Sequence, residues 1–261
     1  MTETLLARYD ALLLDLDGTV YRGKEPIPGA ADAVAVARAQ GVGIRFVTNN
    51  ASRAAQDVVD HLVEIGFNAV LDEVSTSGQA AAAMLAERVP AGSAVLVLGT
   101  SALEAEVRLV GLTPVRSADG AVAVVQGLSQ DMGWRELAEA CVAIRGGALW
   151  VACNADVTLP TERGLLPGCG ALVAALKAAT DREPLIAGKP AAPLLEQAAK
   201  SLGASRPLVV GDRLDTDIAG AVNAGMDSLL VLTGVSTEAE ALALPVEWRP
   251  THVATDLSGL L

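Results

Sequence analysis

The chain has 261 residues, 51% of them hydrophobic and only 3% aromatic, with 19 basic against 31 acidic residues and a formal net charge of −12. That length allows one large domain or two modest ones, and the acidic balance disfavours nucleic acid and anionic membranes as partners. Apolar runs such as 121–125 and 229–232 are strand-sized, so no segment is expected to span a membrane. Residues 1–10 carry no apolar stretch of the signal-peptide kind. Cys141, Cys153 and Cys169 are odd in number and widely spaced. They read as buried small hydrophobes in a reducing cytosol, not as a disulfide framework or a zinc site.

The first strand is expected at 11–16, where the apolar run Ala11-Leu12-Leu13-Leu14 leads into Asp15-Leu16-Asp17-Gly18-Thr19. Asp17-Gly18 alone also reads as an ordinary turn. A helix over 29–40 stops at Gly41, and a strand follows at 42–47. The next helix, 53–65, takes Ser52 as N-cap and Gly66 as its first residue beyond the end. Further strands are expected at 94–98, 121–126, 147–152, 184–187, 207–211, 228–232 and 251–254. This alternation predicts an α/β fold, a doubly wound parallel sheet with helices on both faces. The chemistry-bearing strands, 11–16, 42–47, 184–187 and 207–211, fall near the two ends. Residues 1–78 and 184–261 are therefore expected to form a catalytic core, and 79–183 an inserted α/β domain.

Four blocks carry the chemistry: Asp15-Leu16-Asp17-Gly18-Thr19, Phe46-Val47-Thr48-Asn49-Asn50, Gly188-Lys189-Pro190 and Gly211-Asp212-Arg213-Leu214-Asp215-Thr216-Asp217. On one parallel sheet they meet at its carboxyl edge, where open α/β sheets bind ligands. Asp15, Asp17 and Asp212 suit Mg²⁺, a hard cation that takes oxygen ligands and keeps waters for a phosphate to replace. Asp15 then has a free oxygen to act as nucleophile, giving an aspartyl-phosphate. Asp17 is placed to protonate the leaving oxygen and deprotonate water. Thr48 offers a hydroxyl and Asn49 a backbone N–H to phosphoryl oxygens, and Lys189 a compact positive charge.

Plainer readings exist for several of these residues. Asp215 and Asp217 in the first turn of a helix favour its dipole, though Asp217 is expected to back the site from behind the metal ligands. Lys189 alone reads as a surface lysine, and Asn49-Asn50 as turn residues. Ala187-Gly188-Lys189 resembles the end of a P-loop, but Glu183 and Pro190 break that motif. Gly127-Leu128-Ser129-Gln130-Asp131 lacks the second glycine of a nucleophile elbow. With only His61 and His252 in the chain, a histidine-dependent triad is not expected.

The four blocks, in this order, resemble the haloacid dehalogenase superfamily of phosphohydrolases over essentially the whole chain. The resemblance is closest to the nitrophenyl-phosphatase-like subclass, with a Rossmann-like core and a large α/β cap. Within it, Leu159-Pro160-Thr161-Glu162-Arg163-Gly164-Leu165-Leu166-Pro167-Gly168 looks most like actinobacterial glycerol 3-phosphate phosphatases. The resemblance implies a cytoplasmic Mg²⁺-dependent phosphatase acting on a small phosphomonoester, glycerol 3-phosphate before others. It also implies a homodimer formed through the cap. Specificity is expected in the loop 154–168, with Asp156, Glu162 and Arg163 as its polar groups. Asn49, Asn50, Asp156 and Arg163 join Thr48 and Lys189 as substrate-binding residues. The alternatives are a broad sugar, p-nitrophenyl or phosphoglycolate phosphatase, a phosphomutase, or a non-catalytic receiver-like module. A carbon–halogen hydrolase has no use for Asp17 or a metal.

Overall fold

The computed structural model describes residues 4–161 and 163–261, with the side chain of Pro160 left aside. In chain order its strands are β1 (Ala11–Leu14), β2 (Tyr21–Arg22), β3 (Glu25–Pro26), β4 (Gly43–Thr48), β5 (Val74–Thr76), β6 (Ala94–Leu98), β7 (Thr113–Val115), β8 (Ala123–Gln126), β9 (Leu149–Ala152), β10 (Thr158–Thr161), β11 (Gly164–Pro167), β12 (Leu185–Ile186), β13 (Pro207–Gly211), β14 (Asp227–Val231) and β15 (His252–Ala254). The α-helices are α1 (Ala30–Ala39), α2 (Ala55–Glu64), α3 (Ser77–Ala86), α4 (Ser101–Leu109), α5 (Trp134–Arg145), α6 (Cys169–Thr180), α7 (Pro193–Leu202), α8 (Ala219–Ala224) and α9 (Glu238–Ala243). Among the described residues, no helix is long and apolar enough to cross a membrane.

The chain divides into two compact units. One holds the residues up to Thr48, Ala55–Ser75 and Lys189–Leu261; the other holds Asn49–Ala54 and Thr76–Gly188. The first unit is built on a six-stranded sheet of order β15-β14-β13-β1-β4-β5. β1 pairs in parallel with β13 on one side and β4 on the other. All four residues of β1 are buried, which is why that stretch is apolar without alternation. Leu12, Leu14, Phe46, Leu208, Val210 and Leu229 pack on one face with Val34 of α1 and Val58 and Leu62 of α2. Each such side chain contributes about 1.5–3 kcal/mol of burial. The strand order reverses direction at β1, so a crevice is expected at its carboxyl end.

The second unit has its own sheet of order β12-β9-β8-β6-β7, parallel in every pair. Leu96, Leu98, Val124 and Trp150 form its core with Ala140, Ile144, Val173 and Leu176 from α5 and α6. The hairpin β10–β11 stands as a separate two-stranded ribbon.

Three expectations are corrected here. The strand near 184–187 does not belong with the chemistry-bearing strands: β12 pairs with β9 in the second unit's sheet. It closes a β9–α6–β12 crossover, and such a crossover returns to a neighbouring strand of the same sheet. Ser52 does not cap a helix, because α2 begins at Ala55. Its N–H and its hydroxyl instead donate to Asn50 Oδ1 at 2.8 and 2.7 Å, closing a turn that competes with helix. Cys141 is only partly buried, whereas Cys153 and Cys169 are buried; all three are free thiols.

Candidate active site

The first unit gathers charge where its central strands end. Asp15 N–H still donates to Val210 O at 2.8 Å, so β1 stays paired with β13 up to its first carboxylate. Asp212 follows the end of β13 directly. Two parallel neighbours therefore deliver carboxylates side by side. Asp217 comes from a wide helical turn, Leu214–Ile218, in which Asp217 N–H and Ile218 N–H both donate to Arg213 O. Asp217 Oδ2 accepts from Arg213 N–H at 3.1 Å. Asp215, on the outer side of that turn, pairs with the Arg213 guanidinium at 2.7 Å.

Lys189 is buried among these acids. Its Nζ donates to Asp15 Oδ1 at 2.5 Å, to Asp217 Oδ1 at 2.6 Å and to Val47 O at 3.4 Å. Burial favours loss of the ammonium proton, but the charges of Asp15 and Asp217 outweigh it and raise the lysine pKa. Burial pushes Asp15 up to about 7, against the Lys189 charge and with repulsion from Asp217 and Asp212. Asp212 is pushed up to about 6, again by burial first and then by Asp217, with the Val235 N–H opposing. One lysine cannot neutralise three carboxylates so placed.

Space around Asp212 is made by glycine. A Cβ at Gly18 or at Gly234 would overlap the Asp212 carboxylate, and Gly18 also has a φ of +88°. Val235 N–H donates to Asp212 Oδ2 at 2.7 Å, and the Thr233 hydroxyl donates to Gly18 O at 2.6 Å. The segment after β14 thus wraps the acid that follows β13. Sequence reading passed over Thr233-Gly234-Val235. The available signal was a glycine just beyond a buried strand that ends at the same sheet edge.

The donor set fits a hard divalent cation. Asp15, Asp212 and Asp217 each offer an oxygen, all within 4.8 Å of one another. Asp212 Oδ1 is buried and has no hydrogen-bond partner among the described residues. A carboxylate oxygen left so is costly unless a cation meets it, and three carboxylates with room for water are what Mg²⁺-sized ions take. Asp17 is not part of this group. Its carboxylate is exposed and accepts from Gly23 N–H at 3.4 Å. Asp217, expected behind the ligands, stands level with Asp15 and Asp212. Thr48 ends β4, one strand over from Asp15.

The other expected residues lie in the second unit. Asn49 Nδ2 donates to Asp156 Oδ2 at 3.2 Å. Asn49 O accepts from Asn154 Nδ2 at 2.7 Å and from the Ser77 hydroxyl at 2.6 Å. Asn154 Oδ1 in turn accepts from Asp156 N–H at 3.1 Å. Asn49 and Asp156 are thus brought together, braced by Asn154, which opens the expected specificity loop, and by Ser77, which was not singled out from sequence. Asn50 Oδ1 is committed to the Ser52 turn. Arg163 sits exposed at the tip of the β10–β11 hairpin, its N–H on the Thr161 hydroxyl at 3.2 Å. Glu162 lies outside the described residues.

Known proteins resemble this chain over most of its length. A model of haloacid dehalogenase-like hydrolases matches residues 12–113, and a second model of hydrolases of this kind matches 186–260. The D-glycerol 3-phosphate phosphatase of Mycobacterium tuberculosis is 51% identical over 259 residues, 99% of this chain and 72% of the relative. A crystal structure of a glycerol phosphate phosphatase from that organism in complex with magnesium superposes with a TM-score of 0.94, covering 100% of this chain and 78% of the other. The 5′-nucleotidase of Bacillus subtilis is 40% identical over 96% of both chains. The 4-nitrophenylphosphatase of Thermotoga maritima is 31% identical, with a TM-score of 0.90 over 99% of this chain and 98% of that one. Identity at this level, sustained across nearly the whole length, shows that the chain belongs to the haloacid dehalogenase-like hydrolases.

Proposed function

We propose that this chain is a Mg²⁺-dependent phosphatase of small phosphomonoesters, with glycerol 3-phosphate preferred, working through a phosphorylated Asp15. The observation that carries the reading is the buried Asp15–Asp212–Asp217 cluster, with Lys189 on Asp15 and an unsatisfied oxygen on Asp212. Lys189 fixes the Asp15 carboxylate by its bond to Oδ1, so the side chain is held for attack on phosphorus. The P–O bond to the leaving group breaks as the Asp15–phosphorus bond forms. Asp17 gives its proton to the departing oxygen, then takes one from the water that hydrolyses the acyl phosphate. The Thr48 hydroxyl and the Asn49 N–H hold phosphoryl oxygens. Asp15, Asp212 and Asp217 would hold Mg²⁺, which when bound would offset the charge that builds on the phosphoryl group.

None of these groups distinguishes one ester from another, so the choice of leaving group is assigned to the second unit. Asp156, held by Asn49, is the best-supported contact; Asn50 and Arg163 complete the set. The relative from M. tuberculosis supports glycerol 3-phosphate, as does the scarcity of aromatic residues to stack a base. A second reading, a nucleotide or sugar-phosphate phosphatase, is favoured by the B. subtilis relative. Phosphate release from a panel of metabolites decides between them: the glycerol 3-phosphate reading requires the highest kcat/KM on that ester, and a nucleotide ahead by more than about tenfold overturns it.

Cytosolic action on a free metabolite, by a homodimer joined through the second unit, completes the proposal. Trp134 and Val142 of α5, 80% and 62% exposed, are apolar side chains of that unit open to such a contact. Light scattering with and without Trp134→Glu tests the dimer.

A further inference from the structure

The acid–base group of the proposed mechanism, Asp17, is exposed, and an exposed carboxylate samples several rotamers unless something holds it. The hold comes from the two-stranded ribbon β2–β3, which follows Asp17 almost at once. Gly18 N–H donates to Tyr21 O at 2.7 Å, and Asp17 Oδ1 accepts from Gly23 N–H. Gly23 sits at the ribbon's turn with a φ of +61°. A two-stranded ribbon of this length is not stable alone, so its turn needs an anchor.

His61 is that anchor. Its Nε2 lies 3.2 Å from Gly23 O. A carbonyl only accepts, so Nε2 carries the proton and donates. The ring also meets Tyr21 edge-on, with centroids 4.8 Å apart and planes at 77°. Nδ1 faces Glu64 Oε2 at 4.0 Å. His61 thus grips the ribbon at both residues that touch Asp17 or its neighbour: Tyr21, whose carbonyl fixes Gly18, and Gly23, whose N–H holds the Asp17 carboxylate. Arg22, between them, donates to Thr233 O, tying the ribbon to the segment that wraps Asp212.

We propose that His61 is a positioning residue for the phosphatase reaction: through Gly23 and Tyr21 it sets the Asp17 carboxylate where it can protonate the leaving oxygen. This rests on the reading of Asp17 as general acid. Nothing in the sequence marked His61 for this role; it stood as a lone histidine on the second helix.

Leaving-group dependence separates positioning from plain structural support. An alkoxide needs a proton in order to leave, whereas p-nitrophenolate departs without one. Values of kcat/KM end at loss of the leaving group, so hydrolysis of the acyl phosphate does not enter them. His61→Phe keeps a ring against Tyr21 and removes the donor; His61→Gln keeps an N–H donor. In the folded enzyme with Mg²⁺, His61→Phe is expected to lower kcat/KM for glycerol 3-phosphate about tenfold or more, and for p-nitrophenyl phosphate less than about threefold. His61→Gln is expected to recover most of the loss. Asp17→Asn is the control and must show the same asymmetry, only larger. If Asp17→Asn loses equally on both esters, the general-acid reading fails and the proposal falls with it. If Asp17→Asn is asymmetric but His61→Phe is not, the positioning role alone is overturned. Should His61→Phe unfold, His61→Leu serves as the second variant without a donor, checked first by its melting curve.

Discussion

At Asp15 the choice between carboxylate and amide decides whether the site can work at all. Asp15→Asn preserves volume and removes a buried charge that burial already disfavours. The fold is expected to survive, with an unchanged or raised melting temperature, while turnover falls by about 10³-fold or more. Phosphate release within about tenfold of the parent would refute the covalent route. Gly234 offers a less obvious test. A Cβ there would overlap the Asp212 carboxylate, at a residue whose own backbone is not in the left-handed region. Gly234→Ala is therefore expected to raise the Mg²⁺ concentration needed for half-maximal activity at least about tenfold, because the acid must turn away. Titration of activity with Mg²⁺ checks it. The Asp15 and Asp212 blocks were legible in sequence because a carboxylate at the end of a buried strand is costly without a cation; Lys189 was legible only beside them, since alone it reads as a surface lysine. Thr233–Val235 was not, since a threonine, a glycine and a valine carry no such mark. Asp217 was ambiguous: a carboxylate in the first turn of a helix has a dipole to satisfy, and only the lysine 28 residues away shows that it serves more than that.

Among the elements, the buried strands were easy to read; of the sheet-edge strands β12 and β15 were read, whereas β5 and β7 were not. β1, β6, β8 and β13 are short apolar runs. β7 holds Pro114 in its middle and is tolerated because it lies at the end of its sheet. β10 and β11 escaped notice because β11 is exposed along its whole length and shows no alternation. β12 was read as a strand, but two residues of apolar sequence do not say which sheet they join. The amino-terminal edge of the first sheet carries a pH-sensitive junction. The Tyr9 hydroxyl donates to Asp227 Oδ2 at 2.8 Å where β14 begins, and lies 2.9 Å from His252 Nε2 where β15 begins. Burial, then the bond to Asp227 and its charge, raises the phenol to about 12. Because the folded value lies above the unfolded one of about 10, this contribution is complete below pH 10. It is lost as pH rises through about 12. Tyr9→Phe is expected to be less stable by about 1 kcal/mol at pH 8 and to lose less of its stability between pH 10 and 12. Urea unfolding of both proteins at each pH measures the difference.

For the molecule as a whole, stability and metal occupancy are linked. A cation that binds only the folded cluster adds about 2.7 kcal/mol at 100 times its dissociation constant. Mg²⁺ is therefore expected to raise the melting temperature over that in chelator, and Asp212→Asn to abolish the increment. Equal melting curves with and without Mg²⁺ would contradict the cation assignment. The alternation of strand and helix was enough to give the α/β class. The division of the chain into units was harder, because linkers here carry no change in composition. The passages between units fall at 48/49, 54/55, 75/76 and 188/189. Two of them adjoin Thr48, which holds a phosphoryl oxygen in the proposed chemistry, and Lys189, which fixes Asp15. Recombination between relatives that exchanges the second unit at its natural seams would thus cut beside the reaction centre. An exchange of residues 76–188 has to be joined at 75/76 and at 188/189, so it cannot avoid the seam beside Lys189. A lineage of such enzymes would be expected to change its substrates by altering residues within that unit more readily than by trading the unit whole.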